Sequence, residues 1–284
     1  MIAVVLTALA LGGCPHDTTL GNLTYDRGAT THIVSLADCS DRPAVRAARA
    51  GVPAATRRRL ARLVGPLPKV YDGLRQWPEA LSISPDGNWV LWAKALASGS
   101  ITADGLPLEV TSLATGRTHA LGTGLVYADY ATWCGSTLVV TLGRDRVSTH
   151  DKRLIAAGPP DWKPQPLWRA PHRAFGSVAC APDRHSVAVL SQPESNDARF
   201  FDARWQLWKV GLDGSRTLLD AAPPGSADES PLWSPDGSAL LFVRERRGHG
   251  RAVLLRQGIL LGVASLGYSL GFYGHHDWGL AWAR

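Results

Sequence analysis

The chain has 284 residues, a formal net charge of +6 and 45% hydrophobic residues, the balance of a globular protein, which excludes a disordered, solvating chain. Its size fits one large domain or two small ones. The basic excess comes from 25 Arg against five Lys spread along the sequence, a weak argument for nucleic acid, which calls for a localised patch. Eleven Trp against one Met favour rigid aromatic contacts between packed elements over a flexible binding surface.

Residues 1–13 carry no charged side chain and end in Leu11-Gly12-Gly13-Cys14. The run is too short to span a bilayer as a helix. An apolar core, small residues and then cysteine predict a signal segment over 1–14, with Cys14 as the lipidated first residue of the mature chain. The basic residues expected ahead of such a core are missing, which points to a start upstream of Met1; a buried first strand is the alternative. A lipid on Cys14 would tether an aqueous domain to the outer face of a membrane, the only membrane contact expected.

Residues 15–284 read as a single domain. Leu23 to Tyr25 and Thr31 to Leu36 are strand material, expected to join the C-terminal strand and so remove two open sheet edges. An Arg-, Ala- and Pro-rich insertion follows at about 40–68, with Ala44 to Ala50 and Ala54 to Val64 punctuated by Pro43, Pro53, Pro66 and Pro68. It reads as a loop or short helix acting as a solvated linker; a patch facing anionic lipid is the alternative.

Ile83-Ser84-Pro85-Asp86-Gly87 precedes the apolar Trp89-Val90-Leu91-Trp92, and Trp233-Ser234-Pro235-Asp236-Gly237 precedes Ala239 to Val243. Each is a strand end, a tight turn and a second strand. Pro85 and Pro235 preset the backbone, Asp86 and Asp236 bond it, and Gly87 and Gly237 accept a positive φ. Cys180-Ala181-Pro182-Asp183 is a degraded copy with Arg184 where glycine is wanted, and Trp133-Cys134-Gly135-Ser136 is another. With Ile83, Trp133, Cys180, Trp233 and Trp282 as equivalent anchors, the spacings are 50, 47, 53 and 49 residues. Second hairpins turn at Thr115-Gly116, Asp213-Gly214 and Gln257-Gly258. Two hairpins per period predict an all-β propeller of about five four-stranded blades, closed by N- and C-terminal strands, or six if residues 14–70 supply one.

The apolar-Ser-Pro-Asp-Gly turn, the strand after it and the following hairpin resemble the TolB-like, or WD40-like, β-propeller repeat over roughly residues 75–284. Leu266 to Trp278 resembles the tail of actinobacterial envelope members of that group. The resemblance implies an exported, monomeric, non-catalytic binding or scaffold protein of the cell envelope. Its partners would be an envelope protein, a peptide or a cell-wall component.

Cys134 and Cys180 lie at near-equivalent places in consecutive repeats and are expected to form a disulfide, as exported chains pair their cysteines. Cys39 is then unpaired, or bonded to Cys14 if the latter carries no lipid. No CxxC occurs, so zinc is not expected, and no phosphate- or dinucleotide-binding glycine motif implies a cofactor. Gly267-Tyr268-Ser269-Leu270-Gly271 fits the nucleophile elbow of hydrolases, but only 13 residues follow it, too few for the rest of that sheet. His275-His276-Asp277 could ligate a metal, yet adjacent histidines on extended chain face apart, so the segment reads as a loop entering the last inner strand.

Loops entering the innermost strands ring one mouth of a propeller channel. They carry Trp77 and Glu79, Tyr127 and Asp129, Arg173 and Phe175, Asp228 and Glu229, and His275 and Asp277, a mixture suited to a peptide, glycan or small polar ligand. The competing reading is that these residues only cap strands. The runner-up function is a propeller enzyme, a hydrolase or lyase on glycans or peptides, and a third is a propeller left from a larger enzyme. An enzyme would bring two or more buried carboxylates or histidines to one cavity with shifted pKa values. A binding module would show a polar mouth without a convergent acid–base pair.

Overall fold

The computed structural model describes residues 15–27, 30–44, 51–70, 73–98, 103–195, 204–269 and 275–283. In chain order, β1 (Asn22–Arg27), β2 (Thr30–Ser35) and β3 (Asp41–Ala44) are followed by helix α1 (Ala54–Val64). Blade 2 is β4 (Gln76–Ile83), β5 (Trp89–Leu96), β6 (Leu106–Ser112) and β7 (Thr118–Gly124); blade 3 is β8 (Ala131–Cys134), β9 (Thr137–Leu142), β10 (Arg153–Ala157) and β11 (Gln165–Pro166). Blade 4 is β12 (Arg173–Cys180), β13 (Ser186–Pro193), β14 (Gln206–Gly211) and β15 (Arg216–Ala221). Blade 5 is β16 (Ala227–Trp233), β17 (Leu240–Arg246), β18 (His249–Arg256) and β19 (Ile259–Tyr268), and the C-terminal strand is β20 (Ala281–Trp282). The sheets are five, each antiparallel and four-stranded, and β20 pairs with β1 through Leu23↔Trp282 and Thr24↔Ala281 to complete blade 1. The five-blade propeller with two-ended closure is thus as expected, and the N-terminal strands complete the closing blade instead of forming a sixth.

The repeated turn works through its serine as well as its aspartate. Ser84 Oγ donates to Asp86 Oδ1 and accepts from the Trp89 backbone N–H at 2.9 Å; Ser234 Oγ donates to Asp236 at 2.6 Å and accepts from Ala239 N–H at 2.9 Å. Gly87 and Gly237 take φ values of 73° and 74°. Arg184 takes the same left-handed conformation, φ 61°, which for a side chain with a Cβ costs about 1 kcal/mol.

Four hydrophobic clusters are the four direct interfaces between sheets. Leu91 and Leu108 meet Leu138 and Trp162 between blades 2 and 3; Cys134 and Val139 meet Phe175 and Val187 between blades 3 and 4. Leu190 and Trp205 meet Phe242 between blades 4 and 5, and Leu241 and Leu254 meet Leu23 and Tyr25 between blades 5 and 1. On the remaining side of blade 2, α1 takes the place of a neighbouring sheet. Its Leu60 is fully buried against Val90, Trp92 and Leu113. The Arg57-Arg58-Arg59 run thereby sits on a helix anchored by Leu60, with Val64 packed beside it.

At the lower end of the inner strands Cys134 and Cys180 form the expected disulfide, with Cα atoms 5.5 Å apart, joining blades 3 and 4. Loops between second and third strands rise at the opposite end. In the β9–β10 loop Lys152 is only 1% exposed, and its ammonium donates to the carbonyls of Asp145, Val147 and His150 at 2.7, 3.0 and 2.7 Å. Lys152→Met should cost about 3 kcal/mol in urea unfolding, because three half-buried carbonyls lose their charged donor together; a loss under 1 kcal/mol would show that water replaces the ammonium.

Candidate functional site

The innermost strands enter at one end, and three of them are irregular there. The β4–β5 register shifts between Ala80 and Ser82, the β12–β13 register between Phe175 and Val178, and the β16–β17 register between Glu229 and Leu232. An extra residue re-aims the side chains that follow it. Gly176-Ser177 stand opposite the single Leu190 in blade 4 and Ser230-Pro231 opposite the single Phe242 in blade 5, one residue extra in each, and Ser177 and Ser230 join the channel end. In blade 3 the same place is a 3-10 turn, Ala128–Tyr130.

At this end two carboxylates and two imidazoles come together. Asp129 Oδ1 lies 2.8 Å from His275 Nε2, and Asp129 Oδ2 accepts from Ser177 Oγ at 2.7 Å. The His275 ring stacks on Tyr127, centroids 3.9 Å apart and planes 3° from parallel, with Tyr130 edge-on to it. Glu229 Oε1 lies 2.7 Å from His276 Nδ1, and Glu229 Oε2 accepts from Trp278 Nε1 at 2.7 Å. The two histidines therefore diverge to separate carboxylates, one from blade 3 and one from blade 5. Below them opens a cavity of about 880 Å³ between inner strands. Its upper wall holds Tyr127, Asp129, His275 and Asp277; its sides are apolar, with Val178, Leu232 and Leu280.

Burial would lift Asp129, but the adjacent His275 imidazolium and the hydrogen bonds from His275 and Ser177 hold its carboxyl below the ordinary value of 3.8. Burial would depress His275, yet the charge and hydrogen bond of Asp129, helped by Glu229 and Asp277, raise it above 6.5. His276 is also raised, burial being outweighed by Glu229 and then Glu245. A raised histidine contributes stability that is complete below its unfolded value and is lost as pH climbs through the folded one. The His275–Asp129 contact therefore contributes most between pH 3.8 and 6.5. We expect thermal stability to decline as pH rises above 6.5, and His275→Gln to flatten that decline in melts taken across the range.

The remaining predicted mouth residues divide. Trp77 and Glu79 are exposed on β4, joined by an indole-to-carboxylate hydrogen bond of 3.1 Å. Arg173 stacks over Trp168 and Trp208 and donates to Ser191 Oγ at 3.0 Å, while Phe175 is buried edge-on against Trp168. Asp228 is fully buried and accepts from Arg244 Nε at 2.9 Å. These three serve blade packing because they lie on the other face of their strands. Ser177, Tyr130 and Trp278 belong to the wall without having been picked from the sequence; the available signal was their place, three or four residues before an anchor.

The Gly267-Tyr268-Ser269 part of the elbow-like motif ends outer strand β19, antiparallel to β18, and the Ser269 N–H donates to the Gly248 carbonyl at 2.8 Å. That is not the parallel strand-to-helix turn an elbow needs; Leu270 and Gly271 lie outside the described residues. Cys14 does as well, so the lipidation site has no structural description. Among the described residues no group of three or more His, Cys, Asp or Glu is placed to hold a metal ion, and no helix is long and apolar enough to cross a membrane.

No protein-family profile and no curated protein matches the sequence. Solved structures do match in fold. TolB from Acinetobacter baumannii superposes with a TM-score of 0.51 at 12% identity, over 92% of this chain and 67% of that one. A protein assigned as TolB from Agrobacterium tumefaciens gives 0.46 at 15% identity, over 91% and 81%. Oligogalacturonate lyase from Vibrio parahaemolyticus gives 0.45 at 11% identity, over 85% and 61%.

Proposed function

Starting from a TolB-like β-propeller fold, we propose that the chain is an exported binding module whose channel mouth takes a polypeptide segment of an envelope partner. The observation that carries this is the engagement of the mouth's acids. All four oxygens of Asp129 and Glu229 already accept hydrogen bonds or pair with histidine. The Ser177 hydroxyl donates to a carboxylate, whereas a nucleophilic serine donates to a histidine base. Burial would depress both histidines, and each is raised by the carboxylate it already faces, Asp129 for His275 and Glu229 for His276. The wall is preorganised by these hydrogen bonds, above a shaft with apolar sides and of a size that suits a peptide.

The enzymatic reading draws on the count of groups: two carboxylates and two histidines with raised pKa do meet at one cavity. Panning the oxidised chain against a random-peptide library separates the two. A binding module selects peptides that Thr132→Trp, which narrows the shaft, weakens at least tenfold, and that mass spectrometry recovers intact. Cleaved peptides, or selection indifferent to Thr132→Trp, would overturn the proposal.

Export is part of the reading, supported by the Cys134–Cys180 disulfide. Cys39 is disulfide-bonded as well. A lipid thioether consumes the Cys14 sulfur, so lipidation and a disulfide at Cys14 exclude each other. Intact mass of the chain expressed with its upstream region decides: a diacyl increment at Cys14 marks an anchored protein, and a second closed disulfide there an unanchored one.

A further inference from the structure

Counted back from the repeat anchors, blades 2 and 3 carry the same pair. Trp77 and Glu79 lie six and four residues before Ile83, as Tyr127 and Asp129 do before Trp133. The matching positions are Ala174 and Gly176 in blade 4, Ala227 and Glu229 in blade 5, and His276 and Trp278 before Trp282, so an aromatic ring followed by a carboxylate is confined to two neighbouring blades. In blade 3 the pair holds a flat ring of the chain's own, His275, stacked on Tyr127 and bonded edgewise to Asp129. An aromatic face with a carboxylate at its rim recognises planar cations.

In blade 2 the pair stands open. Trp77 is 42% exposed. Trp77 and Glu79 are two apart on β4 and so share a face. The indole N–H donates to Glu79 Oε2 at 3.1 Å, which fixes the ring and leaves Oε1 for another donor. Their cross-strand partners, Ala95 and Ala93, are too small to cover an indole. Among the described residues no cationic side chain lies within ion-pair distance of Glu79, and that includes Arg75, exposed two residues before Trp77.

We propose that Trp77 and Glu79 form a receptor for an arginine side chain of a partner polypeptide, a refinement that rests on the binding-module reading above. A guanidinium is planar, permanently charged and able to donate through its edge while its face stacks on a ring. Lysine offers no such face.

The test uses the full chain with its tryptophan indoles labelled with ¹⁵N, and Trp77→Phe assigns the Trp77 resonance. Acetyl-Ala-Arg-Ala-amide is titrated against the same peptide with uncharged citrulline. The Trp77 indole resonance should shift saturably with the arginine peptide and respond about tenfold more weakly to citrulline. Glu79→Gln should bring arginine down to the citrulline level while the other indole resonances stay in place. A still Trp77 resonance, equal response to both peptides, or indifference to Glu79→Gln each overturns the receptor. Should Trp77 stay still while the Trp278 indole resonance at the mouth moves, the receptor falls and the channel-mouth reading stands. That reading fails separately, in the panning experiment.

Discussion

Arg244→Leu should lower unfolding free energy by about 3–5 kcal/mol, the usual cost of removing one partner from a buried ion pair. The guanidinium donates to Asp228, which is fully buried, and to Asp220, which is 5% exposed, and so joins β17 to the last strand of blade 4. Without it two carboxylates are left in the seam between blades 4 and 5. Burial already pushes Asp228 up to about 8, even with Arg244 beside it to lower it. A carboxyl raised on folding binds a proton that the unfolded chain releases, so its contribution falls as pH rises from 3.8 towards 8. Asp228→Asn should therefore be close to neutral at pH 7 and mildly stabilising above pH 8, the opposite of Arg244→Leu. Urea unfolding of both variants at pH 6 and pH 8.5 checks the pair. A loss under 1 kcal/mol for Arg244→Leu would mean that water reaches the seam.

Replacing both Cys134 and Cys180 with Ala should cost about 4 kcal/mol, the loop-closure entropy expected for a link across 46 residues. The link ties adjacent inner strands, which share no backbone hydrogen-bond ladder; beside it the Cys180 N–H donates to Thr132 Oγ1 at 3.1 Å, and apolar packing fills the seam. Reduction with a thiol reagent should reproduce the effect, since the Cα separation of 5.5 Å already suits the bond and the blades need no rearrangement to form it. If the double variant unfolds at the same urea concentration as the native chain, the apolar packing between blades 3 and 4 alone sets their docking.

The turns could be read because their chemistry is local. Ser84, Asp86 and Gly87 satisfy one another within a few residues, and the copy at Ser234 to Gly237 repeats it. The disulfide could be read because the period placed two cysteines at matching heights. The wall of the mouth could be read only in part. Asp129 meets a histidine 146 residues away and Glu229 one 47 residues away, and no local pattern encodes such a meeting. Adjacent Asp228 and Glu229 were both expected at the mouth, but neighbours on a strand face opposite ways; Glu229 turns to the histidines and Asp228 to Arg244. Arg173 and Phe175 precede the irregularity in β12 and Ser177 lies within it, so one extra residue decides which side chains reach the channel. The helix beside blade 2 was legible as a loop or short helix, but not as a stand-in for a sheet, because its apolar contacts, Leu60 and Val64, are few and the blade residues they meet lie far along the chain.

The segment that seals the ring through Trp282 also delivers His275, His276 and Trp278 to the mouth. It follows every other described strand, so synthesis reaches it last. A propeller with blades 2 to 5 already formed would still have only half of that wall, its acids lacking their histidines and the cavity open along one side. The wall is therefore complete only once the closing blade is.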